Sequence, residues 1–437
     1  MAELLVAGQS NDEILQSLSY KLGPTSEYIQ QRRQSRFHPS GASSYSSNTT
    51  QIARIELKGQ GGYLDMSTLK ICFRLAETGG ALPVILAGGP HSLISRIRVF
   101  CQGSLVEDCS HYGRVHHLFT ELMAPSNWRL NHAVETNLKS HEIVATAFVK
   151  DQVWTECVEP GEYATVMFTP AALGIMNCGK LWPIELAPLT LEITFAQPNM
   201  AVSAAIDHPD GRVSSQVYVI NNLHLQCSQV ILDSSVNNAM KSMLASGRSL
   251  TIAVQSVFTQ AHMLAQNSTS FQISMVRALS KLGMAFVSYT SLLSSKQAHQ
   301  VTGFANPSAR VGAGTRNFSH NELTISTQMQ LDSFLYPETP MDSLGEHWSK
   351  LQEAAATYDQ KLVTLSITPA MYKDNGFVCG INFMRAPGSW SSGLNTRTGS
   401  LLTLKVNDIV AQTNMVFVHL VGTILVEVRA DSCSVYD

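Results

Sequence analysis

Gly88-Gly-Pro-His-Ser-Leu-Ile-Ser-Arg-Ile-Arg-Val-Phe-Cys-Gln-Gly-Ser-Leu-Val-Glu-Asp108 is the stretch on which the fold class turns. From Ile94 to Phe100 apolar and polar residues alternate, so Ile97 and Val99 share one face and Arg96 and Arg98 the other. Gln102-Gly103 supplies a tight turn and Ser104 to Asp108 returns as a second strand, which together read as a β-hairpin. Each of these strands has one face to bury.

The same texture extends upstream. Ile52, Arg54, Glu56 and Lys58 interleave with Ala53, Ile55 and Leu57, and Leu69-Lys-Ile-Cys-Phe-Arg-Leu75 alternates closely. Downstream, Tyr112 to Met123 changes period: Val115, Leu118, Phe119 and Leu122 have helical spacing, which predicts a helix inserted between strands. Further strands are expected at Glu142 to Val149, Gly161 to Thr169, Leu189 to Phe195 and Gln216 to Leu225. Ser228 to Gly247 reads as helical, with Val236, Met240 and Met243 on one side and Gly247 as its stop.

Beyond that helix the pattern starts again. Ser249 to Thr259, Ser270 to Ala278, Gly283 to Tyr289 and Asn321 to Leu331 alternate; Pro337 to Tyr358 breaks the run, with a helix expected over Ser343 to Ala356 carrying Leu344, Trp348, Leu351 and Ala355 on one face. Strands resume at Leu362 to Ile367, Gly376 to Arg385, Ser400 to Val406 and Met415 to Arg429. Both halves therefore run strands, helical excursion, strands, an architectural repeat without a repeat of residues. The expected fold is all-β: two tandem antiparallel jelly-roll sandwiches with short helical insertions, each packing two sheets. Its boundaries are read as an N-terminal arm over 1–50, a first jelly roll over 51–232, a linker helix over 233–248 and a second jelly roll over 249–437.

The arm differs from the rest. A short amphipathic helix is expected from Asn11 to Leu22, with Ile14, Leu15 and Leu18 on one face; Gln30-Gln-Arg-Arg-Gln-Ser-Arg36 and Ser40 to Thr50 are polar and poor in large apolar groups. They read either as an arm that orders against a partner or as a disordered tail. Arg32, Arg33 and Arg36 form its basic cluster, suited to phosphates or acidic lipid head groups, and equally to solvent.

Composition agrees with two cores and with assembly. The chain has 437 residues, enough for two domains of about 200 residues each. It is 44% apolar but only 14% charged, a low share for exposed surface, which favours coverage by neighbours. A net charge of −3 gives no general attraction to nucleic acid. The eight cysteines have neither CxxC pairs nor regular spacing, so they read as mostly reduced, packed thiols rather than a disulfide framework or zinc site. Met1-Ala-Glu-Leu-Leu-Val-Ala-Gly lacks a charged leader, and no stretch reaches the roughly 18 apolar residues of a membrane helix, so a soluble protein made inside the cell is expected. The sequons at Asn48, Asn267 and Asn317 then have no route to glycans.

Gly88 to Asp108 followed by Tyr112 resembles a segment of the major capsid proteins of the double jelly-roll lineage of DNA viruses. The Pro183-to-Phe195 run with its Pro-Leu-x-Leu-Glu-Ile core, Tyr218-Val-Ile-Asn-Asn-Leu, and Ser392-Gly-Leu-Asn-Thr396 add to the likeness, which spans most of residues 50 to 437. In that family three subunits, each with two jelly rolls normal to the shell, form a pseudo-hexagonal capsomer that tiles an icosahedral capsid. The resemblance implies a homotrimer here, a place in the virion, assembly inside the host cell, and contacts with neighbouring capsomers and minor capsid or penton proteins; whether an internal membrane is a further partner is left open. By the same analogy Arg32, Arg33 and Arg36 lie on the inner side. Sequence-specific nucleic-acid binding is not expected.

Candidate chemistry is sparse. His111-Tyr-Gly-Arg-Val-His-His117 is the densest cluster, and His117 and Glu121 are four apart, a spacing that metal ligands use. The chain lacks HxxxH, HExxH and the HxH pair of a cupin, so structure or interface outweighs metal. Val311-Gly-Ala-Gly-Thr315 lacks the Lys-Ser/Thr of a phosphate loop, and no GxSxG elbow is present. Trp182, Trp348 and Trp390 lie near turn residues, where an aromatic either anchors a subunit contact or plugs the end of a sandwich; Trp348 and Trp390 are taken as the subunit-interface candidates. No catalytic residue, metal or cofactor is assigned. The expected role is a self-assembling shell protein; the alternatives are a spike or penton-like β-sandwich binding a receptor or glycan, and a cupin-like metalloenzyme.

Overall fold

The computed structural model describes residues 29–46, 50–59, 62–76, 82–86, 88–123, 139–141, 155–170, 172–202, 214–265, 267–291, 301, 303–307, 325–358, 365–373, 376–385, 392–397, 401–409 and 413–437. In chain order the first set of strands is β1 (Ile29–Phe37), β2 (Ser44–Ser46), β3 (Ile52–Leu57), β4 (Tyr63–Ala76), β5 (Val84–Ile85), β6 (Ile94–Cys101), β7 (Ser104–Ser110), β8 (Lys139–His141), β9 (Thr155–Val158), β10 (Tyr163–Phe168), β11 (Leu181–Pro183), β12 (Leu189–Phe195) and β13 (Val219–Leu232). The second set is β14 (Leu250–Met263), β15 (Phe271–Ser274), β16 (Leu282–Ser291), β17 (Ser326–Leu331), β18 (Phe334–Met341), β19 (Val378–Asn382), β20 (Thr403–Asn407), β21 (Thr413–Val428) and β22 (Cys433–Tyr436).

The sheets close the argument for duplication. The first sandwich pairs β1-β13-β4-β10 against β3-β12-β6-β7, and the second pairs β14-β21-β16-β19 against β15-β20-β17-β18. Taken as eight principal strands each, both have the order first-eighth-third-sixth in one sheet and second-seventh-fourth-fifth in the other. That is one jelly-roll winding made twice. The expected all-β, two-sandwich class holds, and in both halves the helical excursion falls between the fifth and sixth strands. The expected hairpin of β6 and β7 is present, Cys101 opposite Ser104 beside the turn; a bulge between Val99 and Phe100 then sets Arg98 opposite Asp108 and Ile97 opposite Cys109. Gln102 (φ 48°) and Gly103 (φ 84°) at its turn take the left-handed pair of angles that a two-residue hairpin needs.

Several expectations need correction. Residues 29–46 are not an arm outside the first sandwich: β1 pairs along β13 from Ile29 opposite Leu232 to Phe37 opposite Leu225, and it is the first of the eight strands. Its sequence hid this because an edge strand is held by backbone hydrogen bonds, and six of its first residues are exposed, so alternation has nothing to report. The helix after β13 begins at Ser234, not Ser228, because Asp233 caps it by accepting from the Ser235 N–H at 2.8 Å; it ends at Ala245, with Gly247 at φ 84° behind it. Pro337 to Met341, expected to belong to the helical break, lie in the edge strand β18, where Pro337 and Pro340 are tolerated because among the described residues no further strand pairs beyond it. The helix that follows runs Leu344–Tyr358. The expected strands at 142–149 and much of 362–367 lie outside the described residues, as does the expected helix at 11–22; Ile367 itself is not in a strand.

Candidate functional site

The seam between the two sandwiches is where this chain concentrates buried polar chemistry. At the end of β7, His111 (φ 51°) turns the chain into the helix Tyr112–His116, continued by a wider turn over His117–Leu122. A side chain at Gly113 would meet the His91 carbonyl at 3.0 Å, so glycine lets this helix lie against the turn that precedes β6. The helix aims Arg114, 1% exposed, into the second sandwich. Its Nε and Nη2 donate to the Ser288 hydroxyl at 3.2 and 2.9 Å, and Nη1 donates to the Gly303 carbonyl at 2.8 Å. The guanidinium carbon lies 4.1 Å from the centre of the Phe304 ring and 4.3 Å from that of Phe417, two faces that favour a cation. Burial lowers Arg114 to about 9, which still leaves it charged at neutrality. Beneath it His419 contacts Ser288 Oγ at 3.4 Å through Nε2 and Thr259 Oγ1 at 2.9 Å through Nδ1. Burial first, then the charges of Arg114 and His111, push His419 well below its ordinary value, so it is neutral.

A second buried ionisable group sits along the same seam. Glu107 of β7 accepts from the backbone N–H of Gly174 at 2.8 Å and of Ile175 at 3.2 Å, and from the Ser256 hydroxyl of β14 at 3.2 Å. These donors lower it, but burial outweighs them and pushes the carboxyl up to about 7. Gly174 is required by contact: a Cβ there would lie 1.9 Å from the Gln255 carbonyl of the second sandwich. Ser110 Oγ donates to the Thr259 carbonyl at 3.1 Å and Ser104 Oγ to the Cys433 carbonyl at 2.8 Å. Phe119 stacks on Tyr358 at 4.4 Å and meets Phe286 edge-on at 5.3 Å, so the helical excursions of both halves cover the sheet that contains β16. The two sandwiches are thereby held in one orientation.

The histidines of 111–117 have separate duties. His111 packs edge-on against Phe417 at 5.3 Å and His117 stacks on Phe304 at 5.8 Å. His116 spends both ring nitrogens on protein, Nδ1 with Thr120 Oγ1 at 2.8 Å and Nε2 with the Thr169 carbonyl at 3.1 Å. Among the described residues no group of three or more His, Cys, Asp or Glu could hold a metal ion. Among them too, no helix is long and apolar enough to cross a membrane.

The basic cluster at the start of the chain is split by its strand. Arg32 is paired with Asp65 at 2.7 Å, and Arg33 donates through Nε to Gln229 Oε1 at 3.1 Å. Arg36 is exposed and stands opposite Gln226, itself opposite Lys70, so Arg36, Gln226 and Lys70 form one row across β1, β13 and β4. On the other sheet of the same sandwich Arg54 and Arg98 both pair with Glu192, and Arg96 pairs through two bonds with Asp108. Burial raises the Glu192 carboxyl, and the two guanidiniums outweigh it and hold it below its ordinary range.

Trp348 is half-buried and packs edge-on against Tyr372 at 4.8 Å; Trp390 lies outside the described residues. Trp182 plugs the first sandwich, fully buried with its indole N–H donating to the Ala187 carbonyl at 2.8 Å.

Arg114 and Glu107 were not singled out by the sequence reading. For Arg114 a signal existed, since residues 114, 118 and 122 share a helix face, which puts a cation in line with Leu118 and Leu122. Glu107 gave less, because Glu107-Asp108 says only that one of two neighbouring acids must face inward.

No protein-family model and no curated protein sequence matches the chain. Solved structures do. A structure of the PBCV-1 virus capsid superposes with a TM-score of 0.57 at 10% identity, covering 95% of this chain and 98% of that one. The Sputnik virophage structure gives 0.58 at 10% identity, covering 96% and 91%. The Faustovirus major capsid protein gives 0.56 at 8% identity, covering 98% and 96%. With both sandwiches wound in the same order and the superpositions running nearly end to end, the chain has the double jelly-roll fold that these viral capsid structures share.

Proposed function

We propose that this chain is a major capsid protein: it associates as a homotrimer with a pseudo-hexagonal outline, and trimers tile an icosahedral virion shell. The observation that carries the reading is the repetition of one strand order in two sandwiches fixed together by a buried seam. Three such chains present six similar sandwiches around an axis, so near-sixfold edges arise from threefold symmetry. The role is structural rather than catalytic, and its energy comes from complementary subunit faces burying upwards of roughly 2,000 Å² in total.

Within this reading the first sandwich runs from Ile29 to Leu232, the helix Ser234–Ala245 links the halves, and the second sandwich begins at Leu250. Arg36 and Arg33 of β1 are proposed as inner-face contacts, with Arg32 contributing less because it is engaged by Asp65. Trp348 and Trp390 are proposed at subunit contacts. Minor capsid or penton proteins, and an internal membrane, are the proposed partners of the assembled shell.

The test is the mass of the purified chain in solution, followed by negative-stain imaging of the same sample. A particle of three times 47.7 kDa with a hexagonal outline, or closed shells, supports the proposal. A stable monomer that never assembles and binds a receptor or glycan through its loops would replace it with the spike or penton-like reading.

A further inference from the structure

Cys101 and Cys433 meet across the seam, one at the end of β6 in the first sandwich and the other opening β22 beside the second. Cys101 is 0% and Cys433 6% exposed. Cys101 stands opposite Ser104 across the β6–β7 turn, and the Ser104 hydroxyl donates to the Cys433 carbonyl at 2.8 Å, which ties the backbones of the two cysteines into one small network. The two thiols lie close enough that each acts on the other's ionisation.

From this juxtaposition we infer that Cys101 and Cys433 are a latent disulfide: reduced thiols as folded here, oxidised to a covalent bond between the first sandwich and β22 when the protein meets a low-molecular-weight disulfide.

The order of reaction follows from access: Cys433, on the short strand β22, is the thiol that a local opening brings to solvent, whereas Cys101 stays at the end of β6, so Cys433 loses its proton to solvent and reacts first. It attacks one sulfur of the small disulfide, forming a mixed disulfide and releasing one thiolate. Cys101 then loses its proton to solvent and attacks the Cys433 sulfur, releasing the second small thiolate. Two cysteine thiols and one small disulfide become one protein disulfide and two small thiols, so electrons and atoms balance.

Access follows from the position of β22. It is four residues long, pairs on one side with β21, and is preceded by exposed Asp431 and Ser432, so a local opening that peels β22 from β21 uncovers Cys433. Closing returns it to Cys101. The side-chain contacts that hold β22, Tyr436 Oη to Glu427 Oε2 at 3.0 Å and the Arg277–Asp437 pair, are exposed and replaceable by water. A bond across so long a loop restricts the unfolded chain strongly and adds a covalent link where buried packing and the Ser104 hydrogen bond now join the two sandwiches.

The experiment uses the full-length reduced protein, incubated with oxidised glutathione and mapped without reduction by peptide mass spectrometry. The expected product is a cross-linked peptide pair containing Cys101 and Cys433, absent after dithiothreitol, with the unfolding midpoint raised by about 5 °C or more relative to the reduced sample. Cys433→Ser and Cys433→Ala should each abolish the cross-link and the shift; Cys101→Ser should leave a glutathione adduct on Cys433. Half-buried Cys178 reports that the oxidant reached the protein, by its own adduct. Adducts at Cys178 with both Cys101 and Cys433 still free, or a bond joining either of them to another cysteine, would overturn the inference. Because the readout is a covalent bond in the single chain, it is independent of whether trimers form.

Discussion

The guanidinium of Arg114, from the first sandwich, lies between the ring of Phe417, 4.3 Å from its centre, and the hydroxyl of Ser288 at 2.9 Å, both from the second. One side chain therefore satisfies polar groups on a β-sheet that it does not belong to, and the relative orientation of the halves depends on it.

Arg114→Ala should destabilise the chain by about 2–4 kcal/mol, because it leaves the Ser288 hydroxyl and Gly303 carbonyl without this donor and opens a void between two aromatic rings. Arg114→Lys should recover little, since one ammonium cannot reproduce the fork that reaches Ser288 and Gly303 together. Urea unfolding measures both; a loss under about 0.5 kcal/mol for the alanine variant would show that the seam is held elsewhere.

Glu107 should make stability fall as pH rises. Its carboxyl is raised to about 7 in the folded state, so the native chain holds a proton there that the unfolded chain has released. The contribution is full below the ordinary carboxyl range and is lost as pH climbs to about 7, amounting to about 3 kcal/mol at most. Glu107→Gln, which keeps one acceptor oxygen, should flatten this part of the profile. Comparing denaturant midpoints at pH 5 and pH 8 for both proteins checks it, and parallel profiles would refute the assignment.

Gly174→Ala tests the close approach of the sandwiches. The added methyl would lie 1.9 Å from the Gln255 carbonyl, and backbone on both sides must shift to admit it. A cost of at least about 2 kcal/mol is expected, with weaker docking of the halves visible as faster amide exchange at Ser256. Gly103→Ala at the hairpin turn, open to space but at φ 84°, should cost less, about 1 kcal/mol.

Removing residues through Phe37 should damage the first sandwich rather than trim a tail. It strips the partner from β13 and uncovers Gln229, whose side chain accepts from Arg33 and Ser35. A lower thermal midpoint and aggregation through the bared β13 edge are expected in light scattering. Unchanged melting would return β1 to the status of an arm.

Much of the architecture was legible because it is local. Alternation at Ile94–Phe100, the Gln102-Gly103 turn, the helical spacing of Val115 to Leu122 and the glycine stop at Gly247 each concern residues within one or two turns of the chain, where side-chain period reports directly which face is buried. Reading these elements in order was enough to find two sandwiches of the same plan. The failures lie where periodicity is silent. β1 has almost no apolar face, β18 carries two prolines, and both are edge strands secured by backbone pairing with distant partners.

What the sequence by itself determined is the elements with one buried face, their order, and hence a duplicated β-sandwich. Only the tertiary structure decided which residues face one another across the seam: Arg114 with Ser288, Glu107 with Ser256, Cys101 with Cys433. Those pairs are remote in the chain, and their meeting is fixed by the packing of one completed sandwich on another. No local spacing encodes that contact, because the same strand pattern folds equally well whatever lies beyond its outer face.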